Sequence, residues 1–312
     1  MRILVVGAGA IGGYFGGRLL HAQRDVTFLV REQRAAQLRQ TGLSIRSRTE
    51  DVQLADPPTI LAAQLQSPFD LIVLSCKSYD LDQAIESIRP AVGAGSKVLP
   101  LLNGMRHLDV LEAAFGNEAV LGGRCFISSM LDPQGRIVHL DENRAVSFGA
   151  TDAARSGRLD RILAVLTGAG FDVQLSQSIL QDMWDKWVFI AAAAGNTCLM
   201  RASIGDIVQA CGTGLPLAML EECLQIAGAA GMRVSETTQD RACAFLTTAG
   251  STFTASMLRD IEAGGRTEVE HILGDLIARR RTGMTGGPLL DIAYAQIKAY
   301  EIRRVRIGRT HD

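Results

Sequence analysis

Three glycines near the start of the chain have the spacing of a dinucleotide-binding loop. Gly7, Gly9 and Gly12 directly follow the apolar run from Arg2 to Val6, which is typical of a β-strand. In this pattern the first glycine allows a tight turn, the second lets the backbone approach a pyrophosphate, and the third lets a helix pack closely on the strand. The pyrophosphate would lie at the N-terminus of that helix, facing its unpaired N–H groups. The predicted contact residues are Gly7, Ala8, Gly9, Ala10, Ile11 and Gly12.

The residue after the second predicted strand indicates which dinucleotide is bound. The apolar run Val26–Val30 is followed by Arg31. Sites for NAD usually have an acidic residue at this place, whereas an arginine suits the 2′-phosphate of NADP. The sequence therefore predicts NADP, and Arg34 could add a second positive contact. A solvated basic turn, with Glu32 beside Arg31, is the alternative interpretation of this segment.

Two further polar residues follow predicted strands that are almost wholly apolar. Lys77 follows Phe69–Cys76, and Asn103 follows Lys97–Leu102. Because ligands of open parallel sheets bind beyond the carboxyl ends of the strands, both residues are candidates for the cofactor site. Lysine and asparagine are also ordinary loop residues, so their position alone leaves both roles open.

The second half of the chain contains the candidate catalytic groups. Lys186 is a single lysine at the mouth of an apolar helix, where it either reaches the surface or acts as an acid near a dry pocket. Glu268 lies in the first turn of a predicted helix, in which Thr267 and Glu270 would form a capping box. Ser256 gives little signal by itself.

The composition is that of a globular protein that acts on a small molecule. The 312 residues are 47% hydrophobic and include 32 basic and 33 acidic side chains, so no net positive field attracts nucleic acid or a membrane. The six cysteines form no C-x-x-C pair and no cluster at metal spacing, which predicts reduced thiols in the cytoplasm and no metal site. The N-terminal apolar run is too short for a signal peptide. The longest apolar stretch, Trp187–Met200, is shorter than the roughly 20 residues of a membrane helix and predicts a helix buried in protein.

The order of the predicted elements indicates two domains. We expect an α/β fold in which a Rossmann-type, doubly wound sheet (1–175) binds the dinucleotide, followed by an all-helical domain (176–312). Within the first domain we expect a helix over Arg158–Ala169 and a last strand, Phe171–Leu175, that closes the sheet. Before that helix, three shorter strands are predicted at Val120–Gly123, Ile137–Leu140 and Ala145–Gly149. A turn is predicted at Asp132–Gly135, between the first and the second of these strands. The long helices of the second domain could form the face of a homodimer.

Taken together, these positions resemble the ketopantoate reductase family, and the resemblance extends over nearly the whole chain. Many Rossmann enzymes share the glycine loop, but the later motifs, in this order, are far more specific. The matching segments are Gly7–Gly12, Arg31, Lys77, Leu102–Met105, Trp184-x-Lys186, Ser256–Asp260 and Thr267–Glu268. The resemblance implies an NADP-binding Rossmann domain, a helical C-terminal domain like that of 6-phosphogluconate dehydrogenase, and an active site between them.

The same resemblance implies a reaction and a role for each residue. Hydride passes from the nicotinamide to the ketone carbon of a 2-oxo acid, and the Lys186 ammonium stabilises and protonates the oxygen. Glu268 matches a glutamate that helps to place the cofactor and the reacting groups, and Ser256 matches a hydrogen-bond donor to the substrate. Lys77 and Asn103 match residues at the nicotinamide end of the cofactor, where Asn103 also meets the substrate. With ketopantoate as the substrate, the product would be pantoate, in pantothenate biosynthesis.

The chain departs from the family at positions that concern the substrate. Asparagines of ketopantoate reductases are replaced here by Ile190, Ala194, Ile204 and Phe253. A site that relies on hydrogen bonds loses its discrimination when these partners become hydrocarbon. We therefore expect reductase machinery that accepts either ketopantoate or a more apolar oxo acid or ketone. Arg201 could hold the carboxylate of such a substrate, or could be a plain surface arginine.

Other functions stay open on the sequence alone. A related hydroxy-acid or opine-type dehydrogenase would act on other substrates. A noncatalytic NADP-binding sensor of redox state would bind the cofactor without turnover, and the glycines alone would also suit a flavoprotein.

Overall fold

The computed structural model describes residues 1–152, 159–280 and 288–308, and the chain forms two compact units. The first unit contains Met1–Leu102 and His107–Leu180. The second contains Asn103–Arg106 and the described residues from Gln181 onward. The sequence pattern placed the division at about residue 175 and gave no reason to separate Asn103–Arg106 from its neighbours.

The strands of the chain all lie in the first unit as far as the structure describes it. In chain order they are β1 (Ile3–Val6), β2 (Val26–Leu29), β3 (Leu43–Arg46), β4 (Val52–Leu54), β5 (Thr59–Ile60), β6 (Leu71–Leu74), β7 (Lys97–Pro100), β8 (Leu121–Leu131), β9 (Ile137–Ala150) and β10 (Asp172–Leu175). The helices up to the same point are α1 (Ala10–His21), α2 (Glu32–Thr41), α3 (Leu81–Ile88), α4 (Arg106–Phe115) and α5 (Leu159–Leu166). Arg158, at which the helix before the last strand was predicted to begin, lies outside the described residues.

A parallel sheet forms the centre of the first unit. Its strands lie in the order β5-β2-β1-β6-β7, and all neighbours are parallel. The strands β1 and β6 are buried along their whole length, which suits a sheet covered on both faces. The chain order reverses between β1 and β6, and this switch point is where doubly wound sheets bind their ligands. The predicted Rossmann-type sheet is confirmed.

A second sheet in the first unit differs from the prediction. The strands β10, β9, β3 and β4 are neighbours in this order, and β8 pairs with β9. The prediction that Phe171–Leu175 closes the parallel sheet is wrong, because Asp172–Leu175 pairs in parallel with residues 145–148 of β9. The two strands predicted within 137–149 are one continuous strand, and the predicted turn at Asp132–Gly135 is confirmed. In this turn the carboxylate of Asp132 accepts hydrogen bonds from the N–H groups of Gln134 and Arg136.

The helix α1 packs between these two sheets, and its paired glycines make this packing close. A Cβ atom on Gly16 would lie 2.6 Å from Cε1 of Phe28 in the parallel sheet. On the other side, a Cβ on Gly13 would lie 2.6 Å from Cδ1 of Ile137, and one on Gly17 would lie 2.9 Å from Cδ1 of Ile45, both in the second sheet. Side chains at these positions would push the helix away from its neighbours.

The second unit is helical, as predicted. Its helices are α6 (Ile179–Met200), α7 (Ile204–Cys211), α8 (Gly214–Ala229), α9 (Glu236–Leu246), α10 (Ser256–Glu262), α11 (Asp275–Ala278) and α12 (Leu289–Gly308), with a π-helical turn at Glu270–Gly274. The helix α6 begins at Ile179, so Lys186 lies inside the helix and not at its mouth. Its middle part, Ala191–Ala194, is buried, in agreement with the prediction of a helix buried in protein.

Within the described ranges, no single helix has the length and apolar composition to cross a membrane, although α6 and α7, bent by 65° at the break between them, pass this test as a pair.

The close packing of α1 predicts an unusual response to an alanine substitution. Alanine normally stabilises a helix relative to glycine by about 1 kcal/mol. We expect Gly16→Ala instead to lower the free energy of unfolding by about 1–2 kcal/mol, because Phe28 would have to move. The measurement is urea unfolding followed by far-ultraviolet circular dichroism. The control is Gly228→Ala in α8, where an added Cβ meets no atom within 4 Å and stability should stay the same or rise. Equal behaviour of the two variants would contradict the packing argument.

Candidate functional site

The glycine loop leaves β1 at the switch point of the parallel sheet and leads directly into α1. Gly7 has a φ of +91°, a conformation that other residues rarely adopt. A Cβ on Gly12 would collide with Oγ of Ser75 and with the carbonyl oxygen of Gly7. By contrast, a Cβ on Gly9 would meet no atom within 4 Å, so the backbone there faces open space. The first and third glycines are thus required by the fold, and the second leaves room for a ligand.

The N-terminus of α1 has the features of an anion site. Its N-cap is Gly9, which offers no side-chain cap, and the first turn contains no acidic residue. The N–H groups of the first turn are therefore not satisfied by a capping side chain, and the helix dipole adds positive potential there. Together with the open space beside Gly9, this arrangement fits the pyrophosphate of a dinucleotide. The residues Ala8, Ala10 and Ile11, which were predicted to contact it, lie in the same turn.

Two side chains from outside the loop hold its carbonyl groups. Nε of Arg34 donates a hydrogen bond to the Ala8 carbonyl at 3.0 Å, and its Nη1 donates to the Gly135 carbonyl at 3.0 Å. The hydroxyl of Ser129, in β8, donates to the Ala10 carbonyl at 3.1 Å. Burial lowers the pKa of Arg34 from its usual value. Arg34 thus connects the loop to the turn between β8 and β9, and its contact to a phosphate stays a prediction.

Arg31 lies at the N-terminus of α2, and its side chain is 69% exposed. Its Nη2 lies 3.2 Å from a carboxylate oxygen of Asp80 and donates a hydrogen bond to Gln83 at 2.8 Å. Exposed ion pairs of this kind contribute little to stability, so Arg31 can exchange this partner for another anion at small cost. The positive group predicted for the adenosine end of the cofactor is present, with an acidic neighbour that the sequence did not reveal.

Lys77 is half-buried in the segment that leaves β6. It directly precedes the 3₁₀ turn Ser78–Asp80, which contains the partner of Arg31. On the other side, the hydroxyl of Ser75 donates to the Val6 carbonyl at 2.9 Å, which joins the ends of β6 and β1. The segment after β6 therefore lies beside the glycine loop, at the carboxyl ends of the parallel strands, where the sequence placed Lys77.

In the second unit, Lys186 lies on a turn of α6 that is fixed by two tryptophans. Nε1 of Trp187 donates a hydrogen bond to the Ile272 carbonyl at 2.9 Å, and Trp187 is fully buried. The rings of Trp184 and Trp187 are 4.8 Å apart, and the guanidinium of Arg279 lies over both. Lys186 itself is half-buried. The helical turn that presents this lysine is therefore anchored to the segment that follows Glu268.

Glu268 is 9% exposed and lies two residues before the π-helical turn that begins at Glu270. Its carbonyl oxygen accepts hydrogen bonds from the N–H groups of both His271 and Ile272, at 3.0 Å each. Such π-turns are frequent at functional sites. The π-helical turn Glu270–Gly274 forms the start of the helix that was predicted after Glu268, and it is wider than a turn of α-helix.

The predicted capping box of Thr267 and Glu270 is wrong. The hydroxyl of Thr267 donates to Glu301 at 2.6 Å, and Glu270 accepts from Tyr294 at 2.9 Å and pairs with Lys298 at 2.8 Å. All three partners are on α12, so the residues on either side of Glu268 are tied to that helix. The carboxylates around Lys298 raise the pKa of its ammonium.

Asn103 belongs to the second unit although it follows β7 of the first. Gly104, the next residue, has a φ of +82°, and a Cβ there would lie 2.7 Å from the His271 carbonyl. The Asn103–Gly104 turn is therefore packed against His271, the second residue of the π-helical turn. Burial lowers the pKa of His271, which favours its neutral form. The segments that contain Asn103, Lys186 and Glu268 thus converge on residues 271–272.

Ser256 is exposed and begins α10. The N–H of Ala255, the residue before it, donates to the Thr197 hydroxyl at 3.4 Å, and Thr197 is buried in α6. The N-terminus of α10 is therefore attached to the same helix that contains Lys186.

The positions at which the family has asparagines fall into two classes. Ala194 and Ile204 are 2% and 0% exposed and belong to the core of the second unit. Ile190 and Phe253 are only half-buried. Arg201, predicted as a clamp or a surface arginine, donates through Nε to Glu262 at 2.7 Å.

Sequence reasoning missed two features of the site. The structural role of Arg34 is not visible because its partners, the Ala8 and Gly135 carbonyls, are far from it in the sequence and have no side-chain signature. The pairing of Arg31 with Asp80 could have been suspected, because Asp80 is an acidic residue that closely follows Lys77, and both segments follow strands of the parallel sheet.

The position of Arg34 gives a prediction about cofactor binding. We expect Arg34→Lys to weaken the binding of NADPH and NADH equally, by about tenfold, because a lysine cannot hold both carbonyl groups and the loop would loosen. Dissociation constants from isothermal titration calorimetry test this. The matched control is Arg24→Lys, since the Arg24 guanidinium also donates to two carbonyl groups, of Val165 and Thr167, but lies before β2. A loss confined to NADPH would instead indicate a direct contact of Arg34 with the 2′-phosphate.

Comparisons with known proteins identify the family of this chain. The family model described as ketopantoate reductase PanE/ApbA matches residues 3–153, and its C-terminal counterpart matches residues 178–301. The chain is 36% identical to the uncharacterized oxidoreductase YkpB of Bacillus subtilis, over 97% of this chain and 100% of that protein. A crystal structure of 2-dehydropantoate 2-reductase from Geobacter metallireducens is 26% identical, with a TM-score of 0.87 over 96% of this chain and 99% of that one.

The fold is also shared with a more distant dehydrogenase. The ternary structure of D-mandelate dehydrogenase with NADH and anilino(oxo)acetate has a TM-score of 0.86 at 19% identity, over 97% of this chain and 99% of that one. Because the two family models together match most of the chain, this protein belongs to the ketopantoate reductase family of oxidoreductases.

Proposed function

We propose that this protein is an NADPH-dependent reductase that converts the ketone of a 2-oxo acid to a hydroxyl group, as 2-dehydropantoate 2-reductases do. The observation that carries the proposal is the convergence of the Asn103, Lys186 and Glu268 segments on residues 271–272, in a chain that belongs to this family. The substrate is a small molecule with a carboxylate and an adjacent carbonyl. 2-Dehydropantoate is the reference substrate, and its product would be pantoate, in pantothenate biosynthesis.

The chain's own residues supply the acid and the positioning groups. The Lys186 ammonium stabilises the negative charge that develops on the carbonyl oxygen and delivers a proton to it. Ser256 and Asn103 donate hydrogen bonds that orient the substrate. The Glu268 carboxylate places the reacting groups, and its backbone is fixed by the adjacent Thr267, whose hydroxyl donates to Glu301 of α12. When bound, the reduced nicotinamide supplies the hydride.

The cofactor is held by the first unit. The turn Gly7–Gly12 and the N-terminus of α1 take the pyrophosphate, and Lys77 contributes at the nicotinamide end. Arg31 would hold the 2′-phosphate, which favours NADP over NAD. We also assign the protein to the cytoplasm, because its six cysteines are free and suit a reducing compartment.

The pairing of Arg31 with Asp80 predicts how cofactor choice can be changed. Arg31→Ala should weaken NADPH binding by about tenfold or more and leave NADH binding nearly unchanged. Asp80→Asn should act in the opposite direction and tighten NADPH binding about threefold, because it removes a negative charge near the phosphate. Calorimetric titration of each variant with both cofactors measures this. Equal losses for NADPH and NADH in Arg31→Ala would refute the assignment.

The role of Lys186 gives a separate prediction for catalysis. Lys186→Ala should lower kcat by about 100-fold or more while the dissociation constant of NADPH stays the same, because the acid is lost and the cofactor site is intact. The assay is the oxidation of NADPH in the presence of 2-oxo acids.

Lys97→Ala serves as the control, since Lys97 starts β7 at the edge of the sheet away from the glycine loop, and its turnover should be unchanged. Unchanged turnover in Lys186→Ala would show that Lys186 is not the acid and is a surface lysine. A wild-type protein that binds NADPH but reduces no 2-oxo acid would support a redox sensor instead.

A further inference from the structure

A row of aromatic side chains extends from the helix of Lys186 to the segment before Ser256. The rings of Phe189 and Phe245 are 5.1 Å apart with an interplanar angle of 83°, and those of Phe245 and Phe253 are 4.8 Å apart at 81°. Both contacts are edge-to-face, the favoured geometry of aromatic pairs. We call Phe189, Phe245 and Phe253 the aromatic row.

The row begins on the face of α6 that carries the proposed acid. Phe189 and Ile190 follow Lys186 by about one helical turn, and residues at this spacing lie beside each other on the helix surface. At its other end, Phe253 precedes Ser256, and its backbone is fixed on both sides. The Phe253 carbonyl accepts a hydrogen bond from the Ile204 N–H at 3.0 Å, and its own N–H donates to the Ser251 hydroxyl at 3.3 Å.

The aromatic row is only partly covered by the rest of the chain. Phe245 is 38% exposed, and Phe189, Ile190 and Phe253 are half-buried, so the row is not an ordinary piece of the core. Of the family's asparagine positions, the two that are not buried, Ile190 and Phe253, lie on or beside it. An apolar surface of this kind, next to a lysine and a serine, offers contacts to a hydrophobic group of a ligand. A polar group of a ligand would lose its hydrogen bonds to water there and find no new partner.

We propose that the aromatic row is the side-chain subsite of the substrate and selects 2-oxo acids that carry an aryl group. The inference rests on the proposed function, because it assumes that Lys186 and Ser256 hold the carbonyl and carboxylate end. The side chain of the substrate then extends from that end along the row, where an aryl ring adds another edge-to-face contact. The hydroxyl group of 2-dehydropantoate would face hydrocarbon at the same place, so this substrate is disfavoured.

The first test compares phenylpyruvate with 2-dehydropantoate as substrates. We expect kcat/KM of the wild-type protein with NADPH to be at least tenfold higher for phenylpyruvate. Phe253→Asn should reduce this ratio by roughly 10- to 100-fold, since it restores a hydrogen-bonding side chain and removes a ring. Phe253→Leu, which stays apolar, should lie between the two. A preference for 2-dehydropantoate in the wild type, or a ratio that Phe253→Asn leaves unmoved, would overturn the proposal.

The matched control is Phe126→Asn in β8, since Phe126 has nearly the same exposure, 39%, and lies in the first unit. It should leave the ratio unchanged. An equal change in Phe126→Asn and Phe253→Asn would overturn the assignment of the row, because the effect would then not be specific to it.

A binding measurement separates this inference from the proposed function. The dissociation constants of both oxo acids are measured by calorimetry with NADP⁺ present, so that no turnover occurs. Tighter binding of phenylpyruvate that is lost in Phe253→Asn supports the aryl subsite even if no 2-oxo acid is reduced, a result that would refute only the proposed function. Equal binding of the two acids overturns the subsite, even if 2-dehydropantoate is reduced efficiently.

Discussion

The close approach of α1 to both sheets is the contact on which the first unit depends. Gly12 and Gly16 face the parallel sheet, whereas Gly13 and Gly17 face the second sheet, so the helix has a narrow side toward each. Because the backbone itself is in contact on both sides, the position of its N-terminus is set by core packing. An anion that binds at that N-terminus, as proposed, would meet N–H groups whose position is set by this packing.

The groups proposed to do chemistry are positioned in a different way. Lys186 and Glu268 carry charges that are costly to bury, and each is held through its neighbours in the chain. Trp187 fixes the turn of Lys186 by packing and by one hydrogen bond to Ile272, while Thr267 and Glu270 attach the turn of Glu268 to α12. This arrangement fixes the backbone on which the proposed catalytic side chains are placed, as a preorganised site requires.

Local patterns predicted the parts of the molecule that depend on local physics. The parallel strands and the glycine loop follow from apolar runs and conformational demands that are visible in a few residues, as at Gly7. The second sheet could not be predicted, because β10 finds its partner in β9 through pairing between distant residues, and β9 has polar and apolar residues without a clear period. Likewise, the 38% exposure of Phe245 depends on how distant segments pack around it, which local patterns do not show.

The residue proposed to select the cofactor and the residue proposed to act in catalysis differ in their exposure to solvent. The Arg31 side chain is 69% exposed, so solvent and salt screen its attraction to a phosphate, and its ion pair with Asp80 holds it only weakly. Glu268, by contrast, is 9% exposed, and charges in such an environment act on their neighbours far more strongly. On the proposed function, a change at Arg31 or Asp80 would therefore affect dinucleotide binding and leave the groups proposed for catalysis unchanged. The two proposed roles thus depend on charges in different dielectric surroundings, one exposed at Arg31 and one buried at Glu268.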